Sequence, residues 1–188
     1  MNYIRDVALF NQDGTVNVVV EICPNTNGKA ELVEPTFNKL VVVRQVEGLY
    51  PFYYGSFPRT LAGDNDPLDF ILFTDKAHQP LDLVKVDIIG AIKTIDAGEQ
   101  DDKIICVESD CGLINVKKHM KKAMKFIKTY KGKKADMKVE KKLVGMDEAE
   151  EMVKAAAEAY KTKNTIIVNN NSPKIVRKTI TTTRVIKG

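Results

Sequence analysis

The sequence contains no tryptophan, two histidines and three cysteines. His78 and His119 stand far apart, and Cys23, Cys106 and Cys111 have no His or Cys partners at zinc-ligand spacing. No cysteine-histidine zinc spacing is therefore present, and an odd cysteine count without framework spacing reads as reduced thiols in a cytoplasmic protein. No apolar run is long enough to span a membrane, and no Arg-rich or apolar leader is expected at the N-terminus. The Gly-x-Ser-x-Gly, Walker and Gly-x-Gly-x-x-Gly patterns are all missing, so covalent serine chemistry and nucleotide-loop chemistry lose their usual signatures. His78 reads as a loop residue and His119 as a surface or subunit-contact residue.

What is present is acid. Gly63-Asp64-Asn65-Asp66-Pro67-Leu68-Asp69 carries three carboxylates and leads straight into the apolar run Phe70-Ile71-Leu72-Phe73. That run predicts a strand with an acidic turn at its entrance. Gly63, Asn65 and Pro67 suit a rigid turn. Three crowded carboxylates repel one another, and a hard divalent cation would relieve them. A solvated turn is the plainer alternative. An EF-hand fails, because Leu68 occupies its fifth position. A second cluster, Asp96-Ala97-Gly98-Glu99-Gln100-Asp101-Asp102-Lys103, repeats the design between two further strands.

Net charge is +4, with acids concentrated in 64–110 and lysines after 117. The division fits metals on carboxylates with an anion bridging to Lys and Arg. It equally fits a nucleic-acid binder with a basic helix and tail.

The 188 residues predict one domain. Strands are expected over 15–22, 30–34, 39–45, 68–73, 83–95 (bent at Gly90), 103–107 and 137–144. Many short strands with turn punctuation suggest a small barrel. Helical periodicity appears over 115–130, with lysines opposite an apolar stripe, and over 147–161, where Asp147 and Glu150 resemble a capping box. The fold class is α+β, mainly β: a small OB-like closed barrel with two flanking helices. The domain is placed at 1–164. Residues 165–188 form a basic extension expected to pack as a strand or hairpin, with Ile166-Ile167-Val168 as one β-branched run.

Asp64-Asn65-Asp66-Pro67-Leu68-Asp69 resembles the D-x-D-P-x-D signature of the soluble family I inorganic pyrophosphatases, and further matches extend from about Glu21 to Lys131. Asp96, Asp101 and Lys103 resemble the family's D-x4-D-x-K pattern. Glu21, the Lys29/Glu31 pair and Arg44 match its strand positions. Tyr50-Pro51-Phe52-Tyr53-Tyr54-Gly55 resembles Y-P-x-x-Y-G, and Tyr130-Lys131 resembles its Y-K pair. Departures are Thr129 for a frequent His, Val43 for a common Asp, and a segment from Glu21 to Lys29 about one residue short. The resemblance implies Mg²⁺-dependent hydrolysis of inorganic pyrophosphate. It implies metal ligands Asp64, Asp69, Asp96, Asp101 and Glu21, and Asp66 as general base. Lys29, Glu31, Arg44, Tyr54, Lys103, Tyr130 and Lys131 would bind substrate. A homo-oligomer is implied, expected to be a hexamer, with no membrane or nucleic-acid partner. Tyr50 alone reads as aromatic core.

Two other functions are consistent with parts of the sequence. A non-enzymatic barrel would bind single-stranded nucleic acid, stacking bases on Tyr50, Phe52, Tyr53 and Tyr54. A nucleotide phosphohydrolase is weakened by the lack of an evident base pocket.

Overall fold

A computed structural model describes residues 1–112, 114–132 and 135–171. In chain order the elements are β1 (Val16–Ile22), β2 (Gly28–Leu32), β3 (Leu40–Gln45), β4 (Tyr53–Ser56), β5 (Asp69–Phe73) and β6 (Leu83–Ile92). They continue with β7 (Thr94–Asp96), β8 (Glu99–Gln100), β9 (Lys103–Glu108), α1 (Val116–Ile127), β10 (Met137–Val139) and α2 (Met146–Asn171).

Five strands close a barrel in the order β1-β4-β5-β9-β6. All neighbours are antiparallel except β5 and β9, which run parallel with Asp69 opposite Lys103. Closure removes the unpaired edges that an open sheet would expose. Gly55 is required where β4 meets β1, because a Cβ there would lie 2.1 Å from the Val19 carbonyl oxygen. Two small sheets sit beside the barrel: the β2–β3 hairpin, and β10-β7-β8.

The barrel wall is apolar on both faces, so its central strands read as continuous runs rather than alternating ones. Phe70 and Leu72 of β5 join Ile104 and Cys106 of β9 in a cluster that includes Ala149, Val153 and Ala156 of α2. The alternate residues Ile71, Phe73 and Ile105 pack with Ala123, Phe126 and Ile127 of α1. The period-two split of β5 assigns each helix to its own face.

Several elements differ from the sequence expectation. The stretch 83–95 is not one bent strand. β6 breaks register between Ile88 and Gly90 and ends at Ile92, and β7 then joins a different sheet. β10 covers only the start of 137–144. The capping box is not formed, because α2 begins at Met146 and Asp147 lies inside its first turn. Gly145 supplies the carbonyl that accepts from the Ala149 amide. α2 runs on through Asn171, so Ile166, Ile167 and Val168 are helical rather than strand. The β-branched run follows fourteen or more good helix formers in register, and propagation from an existing helix is cheaper than a new strand. The remainder of the expected hairpin, 172–188, lies outside the described residues.

Candidate active site

The acidic turn forms as its residue types dictate. Asn65 takes a positive φ of 70°, which Asn tolerates better than most residues. The Asp66 amide donates to Asp64 Oδ1 at 3.1 Å, an Asx-type turn. The Leu68 amide donates to Thr60 Oγ1 at 2.9 Å, anchoring the turn to the barrel. The second loop is a hairpin between β7 and β8. Its central residues Ala97 and Gly98 both have positive φ, 49° and 90°, the backbone that a two-residue hairpin demands.

Register then gathers residues far apart in sequence. Lys29 and Arg44 face each other across β2 and β3, and side chains of such a pair project on one side. Asp69 lies between Ser56 of β4 and Lys103 of β9. Tyr130 and Lys131 follow the last turn of α1, where the Tyr130 amide donates to the Phe126 carbonyl. The outcome is one cavity of about 290 Å³. Its walls include Asp64, Asp66, Asp69, Asp96 and Asp101 as carboxylates, with Lys29, Arg44 and Lys131 as cations. Glu31, Tyr54 and Tyr130 also line it.

Two expected residues sit elsewhere. Lys103 is fully buried and does not face the cavity. Its Nζ donates to Asp69 Oδ2 at 2.7 Å and to Asp101 Oδ1, so it lies behind the wall as their counter-charge. Glu21 lines the adjoining groove with Lys29, Glu31, Ser56 and Asp66. It is buried and accepts from Ser56 Oγ at 2.6 Å. One residue joins the wall that was not singled out: Glu99, opposite Asp96 in the β7–β8 pair. Its place in the second acidic run was the available signal.

The charges are graded. Burial pushes the Glu21 carboxyl up to about 8, against the pull of Lys29 and the Ser56 hydrogen bond. Burial also raises Asp64 to about 6, and the Asp66 amide offsets part of that. Asp66 is raised by burial and by the like charges of Glu31 and Asp69. Asp69 goes the other way: burial opposes its charge, but Lys103 and Lys29 overcome it and hold the carboxyl low. Tyr54 donates its hydroxyl to Asp69 Oδ2, and burial beside that carboxylate keeps the phenol protonated. For Lys29, burial opposes the ammonium, yet Asp69, Glu21 and Glu31 outweigh it and raise the group. Its Nζ stands 4.7 Å from the Tyr54 ring centre, while the Arg44 guanidinium lies 5.4 Å from that of Tyr130. Lys131 Nζ pairs with Asp96 and lies 3.6 Å from Asp101 Oδ2.

Among the described residues no three Asp, Glu, His or Cys side chains already converge as a metal cage. The donor set nevertheless fits a hard cation. Asp64 and Asp66 have no Lys or Arg within ion-pair distance among the described residues. They share one cavity with Asp69, Asp96 and Asp101, and every side-chain donor there that can ligate is oxygen.

A closed OB-like barrel whose two acidic loops share one cavity with Lys29, Arg44 and Lys131 defines the architectural class. Comparison with known proteins gives the family. A family model described as "Inorganic pyrophosphatase" matches residues 18–161, so the chain belongs to the soluble inorganic pyrophosphatase family. It is 30% identical over 166 residues to an inorganic pyrophosphatase of Picrophilus torridus, covering 80% of this chain and 90% of that one. It is 41% identical over 95 residues to a soluble inorganic pyrophosphatase of Zea mays. That match covers 50% of this chain and 44% of the maize protein, so the chain spans about half the length of such curated relatives. The crystal structure of the type I inorganic pyrophosphatase from P falciparum has the same fold, with a TM-score of 0.83 at 24% identity, covering 91% of this chain and 66% of that one.

The nucleic-acid alternative finds no support. Tyr50, Phe52 and Tyr54 are buried at 0%, 3% and 1% exposure and cannot present faces to bases. No helix among the described residues is long and apolar enough to cross a membrane.

Proposed function

We propose that this protein hydrolyses inorganic pyrophosphate to two phosphates in a Mg²⁺-dependent reaction. The observation that carries this reading is the single cavity where both acidic loops meet Lys29, Arg44 and Lys131. Pyrophosphate is strongly anionic and repels a nucleophile. Asp64, Asp69, Asp96 and Asp101 would hold the metal ions, with Glu21 beside them in the adjoining groove. Bound Mg²⁺ supplies charge neutralisation and lowers the pKa of a water ligand.

The rest falls to the chain's own groups. Lys29, Arg44, Lys131 and the Tyr130 hydroxyl bind the phosphate oxygens and stabilise charge on the departing phosphate. Tyr54 spans the two halves of the site by holding Asp69 while its ring carries Lys29. Glu31 lies 3.6 Å from Lys29 Nζ and restrains that ammonium. Asp66 lacks a cationic partner among the described residues and is raised from its ordinary value, which suits a carboxylate that takes a proton from the attacking water. Lys103 holds the Asp69 carboxyl low and fixes the orientation of Asp69 and Asp101. We place the protein in the cytoplasm, consistent with its free cysteines, as a homo-oligomer with a hexamer expected.

Phosphate release from pyrophosphate, measured with and without millimolar-range Mg²⁺, tests the proposal. Release that depends on the metal and stops on chelation supports it. Release no greater than in buffer, with metal present, refutes it.

A further inference from the structure

The solvent side of α1 takes no part in the chemistry above. Val116, Met120 and Met124 form a stripe along its edge, the two methionines half-buried against the core, and Leu143 from the segment before α2 lines the same trough. That trough is about 830 Å³ with an apolar floor. Lys117, Lys121, Lys125, Lys128 and Lys141 rise along its sides, and no Asp or Glu lines it. The helical period explains the pattern: 116, 120 and 124 fall on one stripe, and 117, 121, 125 and 128 on the next. None of these five lysines makes an ion pair among the described residues. Val116 and Leu143 remain 37% and 38% exposed.

An apolar trough with an uncompensated cationic rim marks an interaction surface. We propose that it docks an amphipathic helix of a partner protein, one whose apolar stripe is flanked by Asp and Glu. Charge complementarity carries the choice. The rim attracts acids, and the floor demands apolar side chains, so a uniformly acidic ligand fills only half the requirement. The flexible methionines Met120 and Met124 adapt to irregular apolar knobs. A helix lying in a groove presents anchors at i, i+3, i+4 and i+7, matching the lengthwise stripe of α1.

Other occupants fit worse. The C-terminal residues of this chain carry Lys174, Arg177, Lys178, Arg184 and Lys187 with no acid after Glu158, so like charges oppose their docking here. Single-stranded nucleic acid wants exposed aromatic platforms, but Phe126 and Tyr130 are buried against the barrel. A bilayer surface is flat and leaves a concave trough unfilled.

The test uses the full chain and a fluorescent peptide of about 16 residues, long enough to lie along the trough at 1.5 Å per residue. It carries Leu at i, i+3, i+4 and i+7 with Glu on both flanks. Comparison probes are its scrambled form, polyglutamate, a single-stranded oligonucleotide and anionic phosphatidylserine vesicles. Saturable anisotropy is expected, with affinity at least about tenfold above the scrambled peptide. Lys121→Glu with Lys125→Glu, and separately Met120→Ala with Met124→Ala, should each weaken binding about tenfold or more, since one removes the rim and the other the floor. Far-UV dichroism and urea midpoints establish that both variants are folded. Equal binding of scrambled peptide or polyglutamate would reduce the surface to a polyanion patch and overturn the proposal. Tighter binding of oligonucleotide or vesicles would assign a different occupant, and no binding of any peptide would reject the groove. These readouts do not depend on pyrophosphate hydrolysis.

Discussion

Lys103 Nζ lies 2.7 Å from Asp69 Oδ2, with both residues at the start of parallel neighbouring strands and the lysine fully buried. The pair places a positive charge beneath the carboxylate wall of the cavity, where water cannot supply one. Replacing Lys103 by Met keeps the volume and deletes the charge. Asp69 and Asp101 then lose their buried counter-charge. Losing one partner of a buried pair costs about 3–5 kcal/mol. Lys103→Met is therefore expected to lower unfolding free energy by that order in urea, and an unchanged midpoint would show that Lys29 alone compensates Asp69.

Asp66 lines the cavity, is raised from its ordinary value and is free of a cationic partner among the described residues. Asp66→Asn removes the proton acceptor and little else. Turnover is expected to fall by roughly 10²–10⁴-fold. Metal affinity, followed by titration calorimetry, should change far less. Near-normal turnover would remove Asp66 from the base role.

Glu108 is held at the opposite part of the barrel by Thr74 Oγ1 at 2.6 Å, His78 Nε2 at 2.9 Å and Lys76 Nζ at 3.0 Å. Burial opposes its charge, but these partners outweigh burial and depress the carboxyl below its ordinary value. A depressed acid contributes stability that is present above its unfolded pKa and is lost as pH falls through the folded one. Glu108→Gln should thus cost about 1.5–3 kcal/mol at pH 7, the range for hydrogen bonds to a charged group. The gap between variant and wild type should narrow as pH falls below the ordinary glutamate value and through the lowered folded one, where both side chains become neutral. Urea midpoints at neutral and acid pH decide it, and a pH-independent gap would contradict the assignment.

A homo-oligomer is expected at micromolar concentration. The apolar stripe of α2 is not available for such a contact, since Ala149, Val153 and Ala156 already pack on their own barrel. Val41, Val42 and Val43 of β3 are 46%, 56% and 52% exposed and offer an apolar surface for burial between copies. Light scattering that gives only the 21.0 kDa chain mass would count against assembly.

Every residue assigned to the chemistry lies between Glu21 and Lys131. Removal of 172–188 leaves α2 whole to Asn171 and should preserve metal-dependent phosphate release to within about twofold, there being no ligand to lose. A truncated protein that remains folded and assembled but releases no phosphate would show that those residues complete the site.

The two acidic loops were readable because their chemistry is local. Asp, Asn, Gly and Pro in a turn report backbone angles and charge density over a few residues, and Asn65, Ala97 and Gly98 adopt the positive φ that such turns need. The helix over 115–130 was readable because one apolar stripe persists against lysines on the other faces. β4 was not recognised as a strand, since Tyr53–Ser56 is four residues long and follows an aromatic, proline-containing run. The helical state of Ile166, Ile167 and Val168 was also missed, because a β-branched run reads as strand when the helix feeding into it is ignored.

The sequence by itself determined the kinds of group available: hard oxygen donors in two rigid turns, amines and phenols near them, and no nitrogen or sulfur set for a softer metal. Only the tertiary structure decided which of those groups share a cavity and which are buried out of reach. Lys103 and Lys131 are indistinguishable as lysines beside acids or tyrosines in the chain. One lies behind the wall against Asp69 and Asp101, while the other lines the cavity against Asp96. Glu21 and Asp69 both sit at strand ends, yet one is raised by burial and the other held low by two lysines. The reason is that burial and charge pairing depend on the register between strands distant in sequence, and a cross-strand neighbour leaves no trace in local composition.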